Sequence, residues 1–293
     1  MKTVIIGASG IIGYRLFEML KKKETEVIGT YSKNKKVGLI KFDILKDQIK
    51  KKIRIAKDDN VIILTAISNP TWVYKNPKIS KNINVISTKK IIDDLQGVEC
   101  KVFFTSSIEV FDGKKGNYDE KSIPKPLNLY GKQKLLIEKY LKKKIKKYCI
   151  IRTSFIVGND PKQRCPVKLT HDSLLEKNAR MAKDNFFAIT SVKDLCQSIH
   201  KILYNKKFKN LNICHLSSKE KISRTKLANY VIKFSKLGLK MSYDTTLFKY
   251  INYSEPRGRL NNLISSNPLI KKFKFQKAQK VIKEKIKIIE NSL

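Results

Sequence analysis

Thr3-Val4-Ile5-Ile6-Gly7-Ala8-Ser9-Gly10-Ile11-Ile12-Gly13 stands at the start of the chain, and its reading decides the fold. A short β-prone run meets a glycine turn. Apolar residues then recur at helical spacing, at Ile12, Leu16 and Leu20. Such a turn lets the backbone approach a pyrophosphate, which the free N–H groups and positive dipole of the helix N-terminus can hold. The spacing is GxxGxxG, and the strand–turn–helix context makes it informative. Outward from this unit the alternation continues. Strands are expected at 27–30, 38–42, 61–66, 102–105 and 148–152, and helices at 78–95 and 129–146, with a Lys-rich helix or loop at 45–58. Strands alternating with helices imply right-handed crossovers, hence an α/β, Rossmann-type doubly wound parallel sheet.

Beyond Phe155 the pattern changes. Residues 159–185 are polar and carry Pro161 and Pro166, so a long loop or small lid is expected there. A helix at 192–204, a strand at 211–216 and a helix at 226–237 follow. Residues 240–270 read as irregular. The last helix, 278–290, stripes Val281, Ile282, Ile286 and Ile289 along one face. The expected division is a dinucleotide-binding unit, 1–154, joined by 191–215. A smaller C-terminal substrate-binding unit would comprise 155–190 and 216–293.

The 293 residues are 41% apolar, enough for a sizeable core. No apolar run approaches a membrane span, and no signal peptide is visible. Five scattered cysteines at 100, 149, 165, 196 and 214 show no metal spacing. A reduced, cytoplasmic chain without a metal is expected. The formal net charge of +38 suggests nucleic acid or an anionic membrane. However, arginine occurs only at 15, 54, 152, 164, 180, 224, 257 and 259, and the lysines are spread over the whole chain. Specific phosphate and base readout leans on arginine's planar fork. The charge is therefore read as a solvated lysine surface, with neither membrane nor specific nucleic-acid binding.

Three further stretches carry chemistry. After the second strand comes Gly29-Thr30-Tyr31-Ser32-Lys33, with no acid to grip a ribose 2′-hydroxyl. Ser32 and Lys33, with Lys35, suit a 2′-phosphate, which favours NADP(H) over the alternative NAD(H). Asp43, with Ile44, is placed to meet an adenine edge or to cap a helix. Tyr130 and Lys134 lie four apart on one helical face, so an ammonium near the phenol would lower its pKa and ready it for proton transfer. Phe104-Thr105-Ser106-Ser107-Ile108-Glu109 closes the fifth strand, where a hydroxyl can hold a carbonyl oxygen.

Taken in order, these motifs resemble the extended short-chain dehydrogenase/reductase superfamily. Within it, the similarity runs to dTDP-4-dehydrorhamnose reductases and their relatives acting on nucleotide-linked sugars. The resemblance covers most of the chain, through GASGIIG, Asn84-Val85, TSSIEVFDG, Pro126 to Lys134, Ile151 to Ser154 and Ser191 to Leu195. It implies a catalytic set of Ser107, Tyr130 and Lys134, with Ser106 as the fallback hydroxyl. It implies cofactor contacts from Gly7, Ser9, Gly10, Ile11, Ile12 and Gly13, and from Ala66, Ile67, Ser68 and Phe155. Asn84 falls where the family keeps an asparagine near the site.

Ser107, Glu109, Arg164, Arg257 and Arg259 are the expected substrate contacts, and Arg152 is a further candidate for phosphate. Ile108 stands where dehydratases carry an acid, which disfavours water elimination. Rhamnose-type reductases usually show Thr-Asp-Tyr at 107–109, which leaves the exact sugar open. The implied activity is reduction of a keto sugar on a nucleotide, in a chain that could form a homodimer. The rivals are an epimerase with bound NAD, for which Cys165 and His171 would be an acid/base pair, and a non-catalytic NADP-binding regulatory subunit, such as that of methionine adenosyltransferase.

Overall fold

The computed structural model describes residues 1–23, 26–237 and 242–293. Its strands are β1 (Thr3–Ile6), β2 (Val27–Tyr31), β3 (Leu39–Lys41), β4 (Asn60–Ile63), β5 (Lys101–Ser107), β6 (Tyr148–Thr153), β7 (Phe155–Val157), β8 (Arg180–Ala182), β9 (Phe186–Ser191), β10 (Ile213–Leu216), β11 (Lys221–Ser223), β12 (Asp244–Thr246) and β13 (Leu260–Asn261). Seven of them form one parallel sheet in the order β10-β6-β5-β4-β1-β2-β3. This is the expected doubly wound architecture, and it puts a crevice outside the carboxyl ends of β1 and β4, where the strand order reverses.

Alternation along β1 builds the two faces. Val4 and Ile6 join one core with Ile91, Ile92, Ile137 and Leu141. Ile5 joins the other with Leu16, Phe17, Leu195 and Ile199. Each such side chain contributes roughly 1.5–3 kcal/mol on burial. Gly7 then turns the chain at φ +83°, and an added Cβ would lie 2.7 Å from Thr65 Cγ2. A residue with a side chain would be strained there and would also collide.

A third core surrounds β9, which pairs antiparallel with β11 and parallel with β7 and β13. The helices Pro166–Leu175, Arg224–Phe234 and Ala278–Glu290 pack on it through Leu174, Leu227, Val231, Ile282 and Ile286, against Phe187 and Ile189.

Several local expectations are corrected. The stretch 159–185 is not a continuous loop, because Pro166 occupies the first turn of a helix. A missing N–H costs nothing there, so the proline starts the helix. Pro70, behind the cap Asn69, likewise starts an unexpected helix, Pro70–Lys75. The Lys-rich stretch 45–58 is helical only at Ile49–Lys52. The expected helix 78–95 is interrupted by a π turn, Asn82–Ser87. Within 240–270, positions 240 and 241 lie outside the described residues. The remainder holds β12, β13 and the short helix Pro268–Lys271.

The helix Leu129–Lys144 is tied to β6 beneath the crevice. Arg152 donates through Nε to Glu138 Oε1 at 2.9 Å and through a terminal nitrogen to Glu138 Oε2 at 2.6 Å. Both side chains are almost fully buried. Removing one partner strands a charge, so Glu138→Leu is expected to cost about 3–5 kcal/mol in urea unfolding, and adding Arg152→Met is expected to recover part of that loss. A single-variant loss under about 1 kcal/mol would place the pair with ordinary surface pairs instead.

Candidate active site

The site begins where β5 ends. Its last residues lead into a 3₁₀ turn, Ile108–Val110, against which the helix Leu129–Lys144 starts. Asn128 caps that helix. Its Oδ1 accepts the Gly131 N–H at 2.9 Å, and its Nδ2 donates to Glu109 Oε2 at 2.6 Å. At Gly131 the two backbones meet so closely that a Cβ would overlap the Glu109 carbonyl. The approach brings the Tyr130 phenol beside Ser107, whose hydroxyl acts to lower the phenol's pKa. One turn on, Lys134 Nζ donates to the Thr105 carbonyl at 2.8 Å and lies 5.8 Å from the Tyr130 ring centroid.

The electrostatics depart from expectation. The phenol is not lowered by the neighbouring ammonium. Burial, followed by the Glu109 carboxylate, pushes it well above the ordinary tyrosine range. Burial also holds Lys134 down to about 8, with Glu138 opposing. Glu109 is raised by burial, against the pull of Arg257 and Asn128. Desolvation therefore outweighs pairing at all three groups.

A cleft of about 320 Å³ opens here. Gly7, Gly10, Ile11, Ile12 and Gly13 form one wall with Ala66 and Ser68. Ser106, Ser107, Glu109, Tyr130, Lys134 and Phe155 form the other, and Arg164 and Arg257 stand at its edge. The lining hydroxyls of Thr105, Ser106 and Thr153 are buried without a hydrogen-bond partner. The helix Ile11–Lys21 has no side-chain cap and no acid in its first turn. Open amides, a glycine turn and orphaned hydroxyls together fit a dinucleotide.

Other expected residues lie outside the lining. Ser9 is half-buried within the turn, and Tyr31 and Ser32 are half-buried and Lys33 exposed after β2. Asp43 accepts the Leu45 N–H at 3.0 Å in a turn, not at a helix start, and Ile44 packs in the core. Asn84 is buried in the π turn. Its Oδ1 accepts the Ile67 N–H at 2.8 Å, and its Nδ2 donates to the Ile67 carbonyl and to Gln133. It fixes the backbone of Ile67 and has no amide hydrogen left for a ligand.

The Arg257-Gly258-Arg259 pair divides. Arg257 is held by Glu255 and lies 3.9 Å from Glu109, whereas Arg259 is exposed and 3.7 Å from Asp184. Arg152 is withdrawn as a phosphate candidate, since Glu138 occupies its fork. Cys165 lines the cleft, but His171 is fully buried at 3.3 Å from Glu290. Sequence reasoning missed Glu255 and Thr71, which brace Arg257 from a loop and from the start of the helix Pro70–Lys75. It also missed Asn128, whose position three residues before Gly131 is a readable capping signal. Among the described residues no group of side chains is arranged to hold a metal, and no helix is long and apolar enough to cross a membrane.

Sheet order, glycine turn and Tyr–Lys pair define a protein of the extended short-chain dehydrogenase/reductase type. Residues 1–247 match the model of the RmlD substrate binding domain, and the chain belongs to that family. A hypothetical dTDP-4-dehydrorhamnose reductase of Sulfolobus tokodaii is 26% identical, with TM-score 0.72 over 90% of this chain and 92% of that one. The Bacillus anthracis dTDP-4-dehydrorhamnose reductase in complex with NADP is 22% identical, with TM-score 0.80 over 96% and 98%. Methionine adenosyltransferase 2 subunit beta of Xenopus tropicalis is 28% identical over 163 residues, 54% of this chain and 48% of that protein. The chain thus spans about half the length of the first curated relatives it matches.

Lys134 should be visible by itself. In ¹³C-methyl-lysine NMR of the ligand-free protein, one resonance is expected to titrate near pH 8, ammonium below and amine above, and to vanish in Lys134→Met. A spectrum in which every lysine titrates in the ordinary range near 10 would contradict the burial described above.

Proposed function

We propose that the protein is an NADP(H)-dependent reductase of a keto sugar carried on a nucleoside diphosphate, of the 4-keto-6-deoxy class. The observation that carries the reading is the convergence of Ser107, Tyr130 and Lys134 across the cleft from the Gly7–Gly13 turn. A dinucleotide held by that turn would supply the hydride to the carbonyl carbon. Ser107 holds the carbonyl oxygen, and Tyr130 gives that oxygen its proton, which solvent later replaces. The phenol is protonated at neutral pH and can donate to a forming alkoxide, a far stronger base; the upward push by burial costs it acidity. Lys134 anchors the end of β5 at Thr105 and, as an ammonium below about pH 8, would be available to hold the ribose of a bound dinucleotide.

NADP(H) is favoured by the lack of an acid after β2 and by Ser32 and Lys33. The Bacillus anthracis relative, in complex with NADP, supports the same choice. Ile108 in place of an acid argues against dehydration. The unit built on β9 would supply the sugar-binding side.

The curated relatives favour a second reading, a binding subunit without turnover of its own. One assay separates these. NADPH oxidation is followed with a panel of 4-keto nucleotide sugars, for wild type and Tyr130→Phe. A reductase loses roughly 10²–10⁴-fold in rate in the variant while still binding NADPH. NADPH binding with no turnover of any sugar would point to the binding subunit. Interconversion of sugars on retained NAD would point to an epimerase.

A further inference from the structure

Holding a diphosphate calls for forked cationic donors that no carboxylate has already taken. That condition sorts the arginines around the cleft. Arg152 is bonded to Glu138, Arg257 to Glu255, and Arg259 reaches Asp184. Arg224 differs. Its Nε donates to Asn185 Oδ1 at 2.9 Å, and its two terminal nitrogens have no hydrogen-bond partner among the described residues. Its guanidinium carbon lies 4.2 Å from the ring centroid of Phe187 and 5.8 Å from that of Phe155, which lines the cleft. Among the described residues no acidic side chain pairs with it.

The position is built. Asn185 is 2% exposed, and its Nδ2 donates to the Arg259 carbonyl at 2.6 Å. One amide thus sets Arg224 and, at the same time, the segment that carries Arg257. Burial disfavours the Arg224 guanidinium; Tyr253 opposes that, and the charge of Arg257 adds to it. Two cations so placed, one of them without a carboxylate, are relieved by a ligand that brings its own negative charge.

We propose that Arg224, fixed by Asn185 and stacked on Phe187, is the residue that grips the diphosphate of the nucleotide-linked substrate at the edge of the cleft beside Phe155. The proposal rests on the substrate class given above. It is tested by calorimetric titration of NADPH-saturated protein with dTDP, UDP and inorganic diphosphate. Saturation keeps these probes off the glycine turn.

Arg224→Gln is expected to weaken all three probes by about tenfold or more, with NADPH affinity unchanged. Arg224→Lys is expected to fall between, since it keeps the charge and loses the fork. Wild-type affinity for the probes in Arg224→Gln would overturn the assignment and leave the reductase reading intact. Probe binding that depends on Arg224 in a protein that turns over no keto sugar would support the site and remove the reductase. A wild type that binds none of the probes would overturn both. Should Arg224→Gln also lose NADPH, the Lys variant decides. A several-fold loss with NADPH intact supports the site, and unchanged affinity overturns it.

Discussion

The cleft depends on one close approach, that of the first turn of the helix Leu129–Lys144 to the backbone of Glu109. Only a residue without a side chain fits at position 131. Because the approach is that close, Tyr130 reaches Ser107 on the strand just ended, and Lys134 reaches back to the Thr105 carbonyl. Asn128 holds both sides of the junction, one amide oxygen on the helix and one amide nitrogen on the Glu109 carboxyl. Below it, the Glu138–Arg152 pair locks the same helix to β6. The geometry of the reacting groups is therefore set by backbone packing and capping before any ligand contributes.

Burial then sets their protonation. In water an ammonium 5.8 Å from a phenol ring would lower the phenol and be raised by the phenolate. Out of water, both groups instead move toward their neutral forms, the phenol up and the lysine down. That arrangement suits a proton donor better than a proton acceptor. A bound dinucleotide carries negative charge, and its arrival would favour the protonated lysine again.

The fold was legible where local chemistry is self-contained. The Gly7 turn, the alternating strands and the Tyr130/Lys134 spacing each lie within a dozen residues, and each appears as read. The helix Ala278–Glu290 was legible for the same reason, since its apolar stripe is continuous. What was not legible depended on distant residues or on the two-sided meaning of proline. Pro166 read as the mark of a loop, yet it occupies the one helical position that tolerates it. β9 had no assignment because its partners β7, β11 and β13 lie about 30 to 75 positions away. Arg152 looked as suitable for phosphate as any other arginine. Glu138, fourteen residues away, removes it from that role.

The arginines show how composition reaches the site. With 25 acids against 63 bases, most cations in this chain have no carboxylate to pair with. A free lysine on the surface therefore says little. A buried acid says more, because each one removes a particular cation from ligand binding. Glu138 takes Arg152, and Glu255 with Glu109 takes Arg257. These acids act by subtraction, leaving at the cleft's edge the forks that remain available to an anionic substrate. The large net charge supplies a general attraction for phosphates, and the few buried carboxylates decide where that attraction becomes a site.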